Sequence, residues 1–430
     1  MSHVLVPLVL LLMALAGAPL FAVIGASALA GFWLAGIDLQ AVIIEIYRLT
    51  EMPVLVAIPL FTLAGYVLGE SRAPQRLVRL TDALLGWLSG GLAIVSLGAC
   101  ALFTAFTGAS GITIVALGAL LYPALKTAGY GDRFSLGLVT SSGSLGILFA
   151  PSLPLILYGV VAQQLDLPVR MGIDQLFLAG LLPGLLMLVI LGGYSMWQAR
   201  GLADERRTRF EPREALAALR DAAWELPLPV AVLGGIYGGL IAISEAAALA
   251  AVYVLIVEVL IRREVSLRAL PNVLRESTEL VGAILIILAV SLASTNILID
   301  AQIPSQLFHA IQGVIHSRWT FLVALNVFLL VLGMMLDIFS ALVIMVPILL
   351  PIAVNYGIDP LHLGIIFLAN MQIGYFTPPV GMNLFIASFR FDKPVMTLYR
   401  ATLPFFFLLL LAVLVITYWP ALSLWLPRGG

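Results

Sequence analysis

Ten apolar stretches recur along the chain, at 4–36, 52–69, 91–125, 134–160, 175–197, 226–261, 279–299, 319–354, 362–389 and 402–427, with short polar segments between them. Each is long enough to cross, as a helix, a hydrocarbon core about 30 Å thick, and several exceed one crossing. The stretch 226–261 divides at Ser244-Glu245 into two short spans joined by a tight turn, whereas 4–36 reads either as one long tilted helix or as a pair. The pattern predicts an all-α polytopic membrane protein. Composition agrees: 62% of the 430 residues are hydrophobic and 10% are charged, against about 25% charged in soluble domains. The N-terminal stretch has no basic leader and stays apolar beyond the length of a signal peptide, so it is expected to remain membrane-embedded.

The sparse charges assign sides, because lysine and arginine gather on the cytoplasmic face. Segments 70–90, 126–133, 199–225, 262–278 and 390–401 hold 18 of the 22 basic residues, leaving Arg48, Arg170, Arg318 and Arg428 for the other side. Segment 199–225 carries Arg200, Arg206, Arg207, Arg209, Arg213 and Arg220 among acids, a solvated cytoplasmic loop. Both flanks of 91–125 are basic, so this stretch enters and returns. Its halves, 91–107 and 112–125, are short for full crossings, and they join at "TAFTGASGITI". A re-entrant hairpin is the expectation, with Gly108, Ala109, Ser110 and Gly111 at its tip. The stretch 319–354 has only Arg318 before it and no basic residue in "NYGIDPLH" after it, so it forms the same device from the opposite side, with Asp337 near the tip of "GMMLDIFS".

Punctuating residues then reveal a repeat. Pro123, Gly129, Gly146 and Pro151 follow the first hairpin, and Pro351, Gly357, Gly374 and Pro379 follow the second, each 228 residues further on. In each unit the hairpin precedes a helix interrupted at "SSGSLGILFAPSLP" (141–154) or "GYFTPPVGMN" (374–383), where glycine and proline cannot sustain helical hydrogen bonds. Inverted repeats with broken helices are how secondary transporters build substrate and ion sites near the bilayer midplane, and freed carbonyls are tolerated there where a cation replaces the missing N–H groups.

This pattern nominates two sites. At the first, the tip Gly108 to Gly111 meets the break around Gly143, Ser144, Gly146 and Pro151, supplying close backbone approach and neutral hydroxyl and carbonyl oxygens suited to a hard cation. At the second, Gly333 to Asp337 meets Asn370, Gly374, Thr377, Pro378 and Pro379. Packing of small residues between helices and a proline kink are the competing readings. Asp337 is the acid most deeply set in apolar sequence, either a functional ionisable group or the cap of the returning hairpin arm. Glu245 is expected to sit in the first turn of a helix. Cys100 is a small buried residue. The histidines show no ligand spacing, and there is no phosphate loop, metalloprotease motif or nucleic-acid signature. An intramembrane enzyme using Asp337 would need a second converging catalytic residue, and none is apparent; a passive channel is a third reading.

The stretches "GGLAIVSLGACALFTAFTGASG", "LLYPALKTAGYGDRF", "LGILFAPSLPLILYG", "FLAGLLPGLL", "SEAAALAA", "LGMMLDIFSALVIMVPILLP" and "GYFTPPVGMNLFIAS" together resemble the large membrane subunit of tripartite ATP-independent periplasmic (TRAP) transporters, in the family's order and over nearly the whole chain. The family's usual Ser-Gly-Ser at the first tip stands here as Thr107-Gly108-Ala109-Ser110, and its double proline at the first break as Ala150-Pro151-Ser152. The resemblance implies a sodium-driven importer of small carboxylates (C4-dicarboxylate, sialic acid or a similar organic acid) in the bacterial inner membrane, working by an elevator motion. It implies two partners: a small membrane subunit, and a periplasmic binding protein that delivers substrate. Carried onto this chain, it places Na+ ligation at Gly108, Ser110, Gly143 and Gly146 and at Gly333, Asp337, Gly374, Thr377 and Pro378, and substrate contact at Ser110, Ser144, Asp337 and Thr377. The expected division is 1–90 as N-terminal scaffold, 91–198 and 279–401 as transport repeats, 199–278 as cytoplasmic loop and scaffold pair, and 402–430 as a closing helix. A stand-alone ion-coupled carrier of similar architecture is the alternative.

Overall fold

The computed structural model describes residues 2–88, 90–165, 171–200 and 211–429. Arg206, Arg207 and Arg209, assigned above to the cytoplasmic loop, and Arg170, assigned to the other side, lie outside these. The described residues form helices and connecting turns, with no strand among them. Among the described residues, eight helices are long and apolar enough to cross a membrane: Pro53–Glu70, Ser110–Thr127, Ile173–Ala199, Ile243–Ile261, Leu270–Asp300, Arg318–Met335, Ile338–Asn355 and Val395–Tyr418; a pair bent by 41°, Asp132–Leu148 with Leu153–Gln163, makes a ninth if counted as one span. Large apolar side chains such as Val189, Val230, Leu240, Phe389 and Phe407 stand exposed on the outside, as expected where the solvent is lipid rather than water.

The stretch 4–36 is a pair, α1 (Ser2–Leu15) and α2 (Leu20–Leu34), and a short α3 (Gln40–Arg48) leads to α4 (Ala57–Glu70) and the amphipathic α5 (Ala73–Leu85). The first hairpin is α6 (Gly91–Thr107) and α7 (Ser110–Thr127); the first broken helix is α8 (Asp132–Ser142) and α9 (Leu153–Gln163), followed by the long α10 (Ile173–Ala199). A connector, α11 (Pro212–Asp221), opens the second half: α12 (Pro227–Tyr237), α13 (Ile243–Leu255, continuing as a π-helix to Ile261), α14 (Leu270–Asp300) and α15 (Ile303–Gln312). Then come the second hairpin, α16 (Arg318–Met335) and α17 (Ile338–Asn355), the second broken helix, α18 (Pro360–Gly374) and α19 (Met382–Phe391), and finally α20 (Val395–Tyr418) and α21 (Ala421–Arg428). The break between α12 and α13 falls at residues 238–242, just before the expected Ser244-Glu245. Glu245 sits in the first turn of α13, where its carboxylate accepts from the Ala242 N–H at 2.8 Å. The second arm of the first hairpin begins at Ser110 and ends at Thr127, longer than the expected 112–125, so α7, like α16 and α17, has a length that could span.

Each of the four punctuating pairs now has a local cause. Pro123 and Pro351 lie four residues before the ends of α7 and α17. Gly129 and Gly357 terminate those helices at φ +92° and +72°. In both, two bonds recapture the last carbonyls: Tyr130 N to Leu125 O with Gly129 N to Lys126 O, and Ile358 N to Ala353 O with Gly357 N to Val354 O. This is the left-handed helix stop that glycine alone adopts without strain. Gly146 and Gly374 lie where another backbone passes too closely for a side chain. Pro151 and Pro379 each follow a cis peptide bond. The hairpins and broken helices coincide under the shift of 228 to within one residue, except that α18 runs four residues longer than α8.

The second copy extends further than the punctuation showed. Each half runs through a helix pair, a helix long enough to span (ending at Glu70 or Asp300), an amphipathic arm with proline at its second position, a hairpin, a broken helix and a long helix. Packing is reciprocal. Helix α2 lies on α14 as α13 lies on α4, and α7 lies on α19 as α9 lies on α17, the exchange expected of a two-fold arrangement. The boundary expected at 279 falls inside α14, which packs with α2, α3 and α4.

The arm α5 is tied to the scaffold by charge. Buried Arg76 donates from Nε to Glu225 (2.7 Å), from Nη1 to Glu264 (2.5 Å) and from Nη2 to Glu258 (3.4 Å). Burial alone would raise the Glu264 carboxyl, but hydrogen bonds from Arg76 and from the Arg72 N–H outweigh it and hold the group below its ordinary value.

Candidate functional site

The two hairpins turn within two residues. At the first tip, Gly108 takes φ +64° and closes α6 with its N–H on Thr104 O (2.8 Å); Ser110 then opens α7. At the second, Asp337 is the N-cap of α17: its Oδ1 accepts from Phe339 N and Ser340 N, both at 3.0 Å. The capping reading of Asp337 is therefore correct, and the residue, half-buried, also lines the cavity described below.

Tip and break meet in both halves. A Cβ on Gly143 would lie 3.3 Å from Ser110 O, and the Gly143 carbonyl accepts from Thr104 Oγ1 at 2.8 Å. Thr104 Oγ1 in turn lies 2.7 Å from Thr113 Oγ1 on the other arm. A Cβ on Gly146 would come within 2.3 Å of Ala101 O and 2.4 Å of Ala105 N. In the second half the equivalent contact is glycine against glycine: a Cβ on Gly374 would lie 2.5 Å from the Gly333 carbonyl carbon. The loop after Gly374 pairs directly with the hairpin through Gly381 N to Met334 O (3.1 Å), and the tip answers with Ile338 N to Tyr375 Oη (2.7 Å). Thr377 is buried and bonds its own helix at Ile373 O (2.7 Å), whereas Pro378 is exposed.

Ser144 is fully buried at the first break. Its hydroxyl lies 3.3 Å from Gln372 O, and Gln372 is its own counterpart 228 residues on, so the two breaks touch at the pseudo-symmetry axis. Around them several buried polar atoms have no hydrogen-bond partner: Thr140 Oγ1 and Ser152 Oγ beside the first break, Asn370 Oδ1 and both Gln372 amide atoms beside the second. Asn370 is fixed through Nδ2, which donates to Asn326 Oδ1 (2.7 Å) and Ile366 O (2.8 Å). Orphaned oxygens in an apolar interior are costly, about 1–3 kcal/mol each, and four of these five atoms can serve as neutral oxygen ligands.

Both tips open on one cavity of about 730 Å³, lined on the hairpin side by Ser110, Ile112, Asp337, Phe339 and Tyr375 and on the α4 and α14 side by Tyr66, Glu70 and Glu276. Thr104, Tyr375, Gln372 and Asn383 were not singled out from sequence. Asn383 is buried completely, and its Oδ1 accepts from Ser110 Oγ at 2.7 Å across 273 residues. Only its place inside "GYFTPPVGMN" pointed toward it.

A family model described as "Tripartite ATP-independent periplasmic transporter, DctM component" matches residues 4–422. The C4-dicarboxylate TRAP transporter large permease protein DctM of Pseudomonas aeruginosa is 37% identical over 91% of this chain and 90% of its own length. The isethionate TRAP transporter permease protein DctMQ of Oleidesulfovibrio alaskensis is 37% identical over 95% of this chain, which spans only 64% of that longer protein. Among solved structures, the YdaH transporter of Alcanivorax borkumensis superposes with a TM-score of 0.58 at 14% identity, over 89% of each chain, a likeness of fold. Eight apolar helices and this family make the chain a multi-pass membrane protein and a transporter permease rather than an enzyme. The chain belongs to the DctM family, the large permease component of tripartite ATP-independent periplasmic transporters.

Proposed function

We propose that the protein imports a small organic acid across the bacterial inner membrane, coupled to Na+ as co-transported cargo, by an elevator motion of the two hairpins and broken helices against a scaffold. One observation carries this reading: in both halves the helix break presents a glycine, Gly146 or Gly374, to the backbone of the first hairpin arm with no room for a Cβ, and the tips of both hairpins line a single cavity shared with α4 and α14. The residues named for the ion offer neutral carbonyl and hydroxyl oxygens and one carboxylate, the hard donors that such a cation takes. At the first site these are oxygens of Gly108, Ser110, Gly143 and Gly146, and at the second those of Gly333, Asp337, Gly374, Thr377 and Pro378. The partnerless oxygens of Thr140, Ser152, Asn370 and Gln372 lie close in sequence to the two breaks. Na+ supplies the positive charge that lets stranded oxygens and an anionic substrate share an apolar interior.

The tips converge on the cavity from hairpins whose flanks carry opposite charge bias, which supports two re-entrant units entering from opposite sides. The transport body is 91–198 with the hairpin and broken helix of 279–401. We assign α14 to the scaffold with 1–90 and 199–278, because it lies on α2, α3 and α4, and the closing helix α20 to the transport body, because it lies on α8, α10, α18 and α19. Substrate contact falls to Ser110, Asp337 and Thr377, with Ser144 holding the axis between the breaks. A small membrane subunit flanks the scaffold and a periplasmic binding protein delivers the substrate. The names of two relatives, for a C4-dicarboxylate and for isethionate, support a small organic anion as the cargo.

Uptake into proteoliposomes tests the reading. With the small subunit and binding protein present, an inward Na+ gradient is expected to drive accumulation, and K+ in its place is not. Equal uptake under both overturns the sodium coupling, and full uptake without binding protein points to the stand-alone carrier.

A further inference from the structure

Ser110 of the first tip and Ile338 of the second are joined by a short hydrogen-bonded chain. Ser110 Oγ donates to Asn383 Oδ1 (2.7 Å), Asn383 N donates to Tyr375 O (2.9 Å), and Tyr375 Oη accepts from Ile338 N (2.7 Å). Asn383 Nδ2 also points at Thr140 O, 3.5 Å away on the helix leading to the first break. Asn383 and Tyr375 both belong to the second broken helix, yet together they bond the tips of both hairpins. We propose that these two residues are positioning residues that couple the two cation sites, so that closing one tip favours closure of the other. The proposal rests on the functional reading above.

The repeat shows that the fold does not require them. Shifted by 228, Tyr375 falls on Ile147 and Asn383 on Leu155, and both of those are apolar and buried. The distal half of the first broken helix, α9, packs on the second hairpin as α19 packs on the first, but Leu155 can offer no polar bond there. One of two equivalent joints is thus built with apolar contact alone, and the other carries a tyrosine and an asparagine whose polar atoms end on the two tips. Placing an amide in an apolar interior is costly unless its bonds are made. Here they are spent on groups that must move if the tips open. A chain that is intact only when both tips are closed makes the second closure easier than the first, which is positive coupling in the thermodynamic sense.

The test is initial uptake rate against Na+ concentration for the complete three-component transporter in proteoliposomes. Wild type is expected to show a Hill coefficient above one, bounded by the number of sites. Tyr375→Phe, which removes only the hydroxyl acceptor, and Asn383→Leu, which installs the first repeat's own residue, are expected to lower it to the value that two independent sites give. Both are expected to raise half-saturating Na+ on the order of tenfold, within the usual range of coupling between sites. Na+-dependent thermal stabilisation of each purified variant reads the same coupling without transport. A residue that serves packing alone would lower the maximal rate and leave the Hill coefficient as in wild type. That result for Tyr375→Phe overturns the proposal, as does a wild-type coefficient of one. Uptake indifferent to Na+ in wild type overturns the functional reading instead.

Discussion

At the scale of single residues, the two tip-and-break contacts are alike in geometry but not in composition. The hairpin side of the contact is Ala105 in the first half and Gly333 in the second, while the break side is glycine in both, Gly146 and Gly374. The distances explain this. A Cβ on Gly333 would meet Met371 Cα at 3.1 Å and Gly374 Cα at 3.2 Å, which a slight shift relieves; one on Gly374 or Gly146 would lie 2.5 Å or less from backbone atoms, which cannot yield. Gly333→Ala is therefore expected to keep most of the uptake, as the first half already carries alanine there. Gly146→Ala and Gly374→Ala are expected to strain the joint by about 1–3 kcal/mol and to reduce uptake at least tenfold, with a raised half-saturating Na+, measured on protein that still inserts and purifies as wild type does. These glycines were legible in sequence because they recur at one spacing. Asn383, Tyr375 and Thr104 were not, because each is a lone polar residue whose partner lies far along the chain or on the opposite hairpin arm, and their counterparts in the other half are different residues.

At the scale of elements, hairpins and breaks could be read because proline and glycine interrupt apolar runs at positions helices do not tolerate. The arms could not. Helices α5 and α15 differ in register from the rest of the repeat by two residues, and α5 alone carries Arg76, so no common spacing exposes them as a pair. Their function as struts follows from the contacts. Arg76 joins α5 to the turn at Glu225, to the π-helical end at Glu258 and to Glu264, burying one cation among three carboxylates. Arg76→Met removes the cation and leaves those carboxylates facing one another. The expected loss is on the order of 3–5 kcal/mol, read as a lower unfolding temperature in detergent. Arg76→Lys restores only part of it, since an ammonium cannot serve three directions with the geometry of a guanidinium. The cluster also sets a pH dependence. Glu264 is held below its ordinary value, so its share of stability is complete above about pH 4.3 and fades as pH falls through the lowered value. Acid titration of wild type is expected to show this loss, and Glu264→Gln to lack it.

At the scale of the whole molecule, the chain is two copies of one run of helices, whereas the sequence exposed only the middle of each copy. The outer helices pack through interchangeable apolar side chains that leave no spacing to match, and the insertion of α3 in the first half breaks the shift. The reciprocal packing restores it, and it places α4 and α14 together opposite the hairpins. An elevator requires these two faces to slide. One contact on the cavity wall is Gly69 on α4 against Ile112 on α7, where a Cβ on Gly69 would lie 3.4 Å from Ile112 Cγ2, within reach of a disulfide or a short bifunctional thiol linker. The native Cys100 is buried and does not compete. With cysteines at Gly69 and Ile112, oxidation is expected to stop Na+-driven uptake and reduction to restore it, while either single cysteine is unaffected by oxidant. Labelling of free thiols after oxidation measures how much of the protein is linked. Full uptake by fully linked protein would mean that the hairpin body does not move against α4, and a gate opening at the tips alone would replace the elevator.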